Sequence, residues 1–228
     1  MHISTYHYWP LVPLFFLLLV VIGGLVVAAL QIGVISYAYE KMGVSERWVT
    51  ALLLGSLLGS YINIPVAELG GDQMDSDAAF SLFGVRHVLP DNPNWPGTVL
   101  AINVGGAIIP TVLSIYLLTK NRLFGRAVIG VAIVALVVHA MAQPIAGKGI
   151  AVPIFVPPIL SAMVAMVLAR PKAAPLAYVS GSLGTLIGAD LLNLNRLAEL
   201  GAPIASIGGA GTFDGIFLTG LLAVLLAH

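Results

Sequence analysis

Long apolar blocks separated by short polar connections set the pattern of this chain. A helix rises about 1.5 Å per residue, so some twenty apolar residues cover the roughly 30 Å hydrocarbon core of a bilayer. The first block, from about Pro10 to Tyr37, contains LVPLFFLLLVVIGGLVVAALQIGVI. Further blocks run from about Trp48 to Ile64, Thr98 to Leu118, Arg126 to Met141, Val152 to Leu168, Pro175 to Leu194 and Ile204 to Ala227. They predict an all-α fold: a polytopic transmembrane bundle of about seven helices, in one integral membrane domain over residues 1–228. The segment before the first block, MHISTYHYW, has no Lys or Arg, and no small-residue cleavage site follows. The first helix is therefore expected to be retained and not removed as a signal peptide.

Composition agrees with that pattern. Charged residues make up 9% of the chain and hydrophobic ones 59%, where a soluble domain carries about 25% charged. The formal net charge is zero, which gives no argument for a nucleic-acid partner. The chain has no cysteine, so disulfides, thiolate metal sites and thiol catalysis are excluded. Nothing calls for a cofactor; the expected surroundings are the lipid bilayer, an ion or small solute, and an oligomer or larger membrane complex.

The positive charges set an orientation. Lys41 and Arg47 follow the first helix, Lys120, Arg122 and Arg126 the third, and Arg170 and Lys172 the fifth, while the opposite side holds Arg86, Lys148 and Arg196. By the positive-inside rule the N-terminus faces outside and His228 the cytoplasm, in the inner (cytoplasmic) membrane of a prokaryote.

An internal repeat orders the helices. GSLLGS (Gly55 to Ser60) matches GTLIGA (Gly184 to Ala189), and both are followed by an asparagine, Asn63 or Asn193, and then by AEL. INVGGAIIPT (Ile102 to Thr111) resembles SIGGAGTFD (Ser206 to Asp214) through the shared GGA. Three helices over 10–118 would thus repeat over 152–227, with a connecting helix at 126–141, and the parity of crossings makes the copies parallel. The first copy alone holds a long polar loop, 70–97, predicted to face outside. Its Asp72, Asp75 and Asp77 have the chemistry of a hard-cation site, although a solvated loop is the preferred reading.

The chain resembles the DUF1614 membrane proteins of bacteria and archaea. The resemblance rests on YINIP (Tyr61 to Pro65), NVGGAIIP (Asn103 to Pro110), GKGIAVPIFVPP (Gly147 to Pro158), APLAYVSGSLGTLIGADLLNL (Ala174 to Leu194) and GAPIASIGGAGTFDGIFLTGLLAVLLA (Gly201 to Ala227). It implies a polytopic membrane protein and supplies no reaction, substrate or site residue.

Chemistry is concentrated in Asp190 and Asp214. Each lies beside glycines in a segment apolar enough for the bilayer, where an ionisable group is costly and points to function. The GGAG before Asp214 is poor helix-forming sequence and predicts an interrupted helix, whose exposed backbone and half-helix ends can bind ions. Asn63 and Asn193 hold equivalent places in the two copies, and Asn103 lies near the outer end of the third helix; their amides both donate and accept. Interhelical hydrogen bonding is the plainer role for these amides, and Gly55/Gly59 and Gly184/Gly188 have the spacing of close helix packing. His139 and Gln143 are expected at the outer interface. No paired-His zinc motif occurs, and Lys148 in GKG lacks the spacing of a phosphate-binding loop.

Three readings stand. In the first, Asp190, Asp214, Asn63, Asn193 and Asn103 line a route for an ion or small solute. In the second, Asp190 and Asp214 form the dyad of an intramembrane aspartyl protease, one activating water while its protonated partner donates. That pattern departs from presenilin-type peptidases in having TFDG in place of GxGD and no clear PAL motif. In the third, the chain is a scaffold subunit of a membrane complex.

Overall fold

The computed structural model describes residues 32–69, 79–82, 85–88, 98–145, 149–199, 204–209 and 215–227, together with single helical residues at 17, 20–22 and 24. Most of the expected first helix and most of the 70–97 loop lie outside them. The described chain is mostly helical.

Helix α1, residues 32–41, ends in a turn at Gly43, which leads into α2, Glu46–Gly59. After the sheet strands described below come α3, Ile109–Asn121, and α4, Phe124–Met141. Helix α5, Val156–Ala169, opens on Pro157 and Pro158, where the missing amides cost nothing because the first helical turn has no intrahelical acceptors for them. Helix α6, Ala173–Thr185, continues through a π turn, Leu186–Asp190, and a 3-10 turn, Leu191–Asn193, into α7, Leu194–Glu199. Helix α8, Gly215–Leu226, closes the described chain.

Three stretches are long and apolar enough to cross a membrane, consistent with a membrane protein: Val104–Asn121, Phe124–Met141 and Val156–Arg196. The third, at 41 residues, would reach about 60 Å if straight, twice the bilayer core. It folds back instead. The backbone breaks at Ala169 (φ −150, ψ 54), before the 3-10 turn Arg170–Lys172, and at Lys172 (φ −127, ψ 33), its last residue, and α5 packs on α6.

Helix α6 is the centre. Leu176 through Ser182 are all buried, and α3, α4, α5 and α8 pack around it. Small side chains make this enclosure feasible, since they let neighbouring backbones approach. A Cβ on Gly184 would lie 2.6 Å from that of Val134, and one on Gly188 would lie 2.4 Å from the Ala135 carbonyl oxygen. The glycine pair expected to pack helices thus seats this run on α4. Large apolar side chains point outward on the surrounding helices, Val128 and Val167 among them.

The all-α expectation requires correction, because the described residues include three small sheets. Strands β1 (Asn63–Leu69), β4 (Thr98–Asn103) and β7 (Ile204–Ile207) form one sheet in the order β1-β4-β7, antiparallel then parallel. Strands β2 (Ala79–Leu82) and β3 (Val85–Val88) form a hairpin, as do β5 (Gln143–Ile145) and β6 (Gly149–Ala151). The spans expected over Trp48 to Ile64, Thr98 to Leu118 and Ile204 to Ala227 are each part strand. Their described helical parts are Glu46–Gly59, Val104–Asn121 and Gly215–Leu226. In β1 the register slips between Pro65 and Ala67, where proline has no amide to give the ladder.

Candidate functional site

The end of the β1-β4-β7 sheet, where its strands feed helices, collects the polar side chains. Asn103 closes β4 and caps the π turn Val104–Ile108 that opens α3. Its Oδ1 accepts from the Gly106 amide at 2.8 Å, satisfying a donor the helix start would leave open. Its Nδ2 donates to the Ser60 carbonyl at 2.7 Å and to Asn63 Oδ1 at 3.1 Å. Ser206 Oγ on β7 donates to the same Asn63 oxygen at 2.5 Å. Asn103 is 1% exposed, so its amide is committed to these partners.

Beside this cluster lies Asp190, the last residue of the π turn that extends α6. Its Oδ2 accepts from the Gly208 amide at 2.7 Å. Gly208 follows β7 directly with φ +89, a backbone region that L side chains rarely adopt. A Cβ there would come within 2.6 Å of the Ala107 amide nitrogen. The turn over Ser206–Gly209, closed by the Gly209 amide on the Ser206 carbonyl at 3.3 Å, thus touches Asn63 through one residue and Asp190 through another. No Lys, Arg or His among the described residues is paired with Asp190.

Asn193 sits one turn beyond. Its Nδ2 donates to the carbonyls of Gly188 and Ala189 in the π turn at 2.9 and 3.0 Å, and its buried Oδ1 has no partner among the described residues. These bonds stay within its own helical run, whereas Asn63 joins Asn103 and Ser206. Asp214 lies outside the described residues, as do Asp72, Asp75, Asp77 and Lys148, so the separation of Asp190 and Asp214 is not part of the described geometry. His139 lies near the end of α4 with a buried Nδ1 that has no partner among the described residues. Gln143 lies in β5. Among the described residues no three His, Cys, Asp or Glu side chains come together as a metal would need.

Sequence reasoning missed Ser60, Gly106, Ser206 and Gly208. For Ser206 a signal existed. Asn103 and Ser206 each stand two residues before a GGA, and both donate to Asn63.

At the other end of the helices the basic residues gather. Lys120 Nζ bonds the Gly43 carbonyl, and Lys172 Nζ donates to the Asn121 carbonyl at 3.0 Å. Arg122, Arg126 and Lys172 line one cleft. The connections after α1, α3 and α5, read from sequence as sharing a side, therefore lie together.

No curated protein and no solved structure matches the chain. The family model described as protein of unknown function, DUF1614, matches residues 57–226, most of the chain and all of the polar cluster, and the chain belongs to that family.

Proposed function

We propose that this protein moves a cation, either a proton or an alkali ion, across the membrane, with Asp190 as the group that carries it. The observation behind this reading is a carboxylate within a transmembrane-length apolar run, held by one backbone amide and matched by no basic side chain among the described residues. An ionised carboxylate in low dielectric without a counter-charge is strongly disfavoured, so the group takes up a proton or a metal cation. The π turn adds to this, because it loosens backbone pairing next to the carboxylate, as do the interrupted helices of many transporters.

Asn193 Oδ1, buried and without a partner among the described residues, provides a nearby oxygen, while Asn63, Asn103 and Ser206 hold the turn that carries Gly208. Buried hydroxyls on Thr185 of α6 and Ser114 of α3 have no partner among the described residues and are further polar groups within the helices. In this reading the basic end is cytoplasmic, and the two strand–GGA–helix segments belong to parallel repeats that meet at Asn63. Asp214 would act with Asp190 along the same route.

The test is ion flux in proteoliposomes under imposed H⁺, Na⁺ and K⁺ gradients, read both as current and with a pH dye inside the vesicles. Asp190→Asn keeps a carbonyl oxygen for the Gly208 amide and so should fold. Flux in the wild type that disappears in this variant is the expected result. Equal flux in both removes Asp190 from the pathway.

A further inference from the structure

The cleft at the basic end lies between two turns, the α3–α4 connection and the α5–α6 hairpin, and has a volume of about 440 Å³. Arg122, Arg126 and Lys172 line it together with Asn121 and Gly125, and none of the described residues that line it is a carboxylate. Lys172 is fixed by its bond to the Asn121 carbonyl, which also ties the hairpin to the end of α3 and leaves two of its N–H donors available. Arg122 and Arg126 are exposed, and each offers a planar fork of donors suited to phosphate oxygens. A Cβ on Gly125 would meet none of the described residues within 4 Å, so the cleft is open beside the first turn of α4.

Arg122 adds an independent observation. It ends α3 with φ 56 and ψ 46, a left-handed conformation, and is the one non-glycine residue with positive φ among those described. At that position glycine is the usual occupant and fits without steric penalty. An arginine held there at a conformational cost, beside two further cations, forms a setting that a shared anion would stabilise.

We infer that this cleft binds a phosphate-bearing anion, either the headgroup of an anionic phospholipid or free phosphate, through Arg122, Arg126 and Lys172. Basic clefts between membrane helices suit such headgroups, and the cleft lies at the helix ends, where headgroups are found. The inference is independent of any role for Asp190.

Full-length protein in detergent is to be titrated with phosphatidylglycerol, phosphatidylcholine and inorganic phosphate, with binding followed by native mass spectrometry and melting temperature. Preferential binding of phosphatidylglycerol, weakened at least about tenfold by Arg126→Gln and by Arg122→Gly, identifies the lipid headgroup. Binding of inorganic phosphate with the same loss, and no preference between the lipids, identifies free phosphate. Arg122→Gly also separates binding from folding, because it relieves the left-handed strain and should melt at or above the wild-type temperature without ligand. Unchanged affinity for both phosphatidylglycerol and phosphate in the two variants overturns the inference.

Discussion

The two GGA turns share a tripeptide and a place between strand and helix, yet they are built differently. At the first, Gly105 is pressed against α2: a Cβ would lie 2.1 Å from the Ser56 carbonyl oxygen and 2.4 Å from the Ser60 amide. Ser56 Oγ also bonds the Gly105 carbonyl at 2.7 Å, and Asn103 caps the turn so that helix follows at once. At the second, Gly208 takes positive φ and its amide turns to Asp190. The parallel register, Ile102 with Ile207, sets the second turn two residues out of step with the first, so that Gly208 abuts Ala107. One turn clamps the fold, and the other presents an amide to a carboxylate.

The largest expected effect breaks the clamp. Gly105→Ala forces α2 and the π turn apart on their backbones and should cost on the order of 4 kcal/mol, enough that little folded protein survives purification. Gly208→Ala combines positive-φ strain with a backbone clash and should cost about 3 kcal/mol; it also withdraws the amide from Asp190, so flux falls in whatever protein folds. Asn103→Ala removes the cap and leaves the buried Gly106 amide unpaired, about 2 kcal/mol by thermal melting. Ser206→Ala, the matching position at the second turn, deletes one hydrogen bond and should cost about 1 kcal/mol. Equal losses at Asn103 and Ser206 would erase the distinction between the turns.

The helices were legible because α4 and the α5–α6 pair are apolar over membrane length, a signal that tolerates errors of several residues at the ends. The strands were not. NIPVAEL, TVLAIN and IASI are short apolar runs adjoining helices, and periodicity cannot separate a short buried strand from helix. What decides them is pairing between distant segments. Asp190 stood out as a carboxylate in an apolar run, and Asn63 and Asn103 as amides beside glycines. Ser206 was marked only by its place two residues before GGA, because a single serine is common in membrane helices and its partner, Asn63, lies 143 residues away in sequence. The grouping of Lys120, Arg122, Arg126 and Lys172 followed from the alternation of sides that helical crossings impose.

The ionisation state of Asp190 is the most direct test of the proposed function. Infrared difference spectra of wild type against Asp190→Asn, recorded while pH, Na⁺ and K⁺ are varied, isolate the carbonyl band of that one side chain. The account predicts a band that converts between protonated and cation-bound carboxylate as one of these cations is titrated. A band that stays fixed under every condition would contradict it and leave Asp190 a structural acceptor for the Gly208 amide.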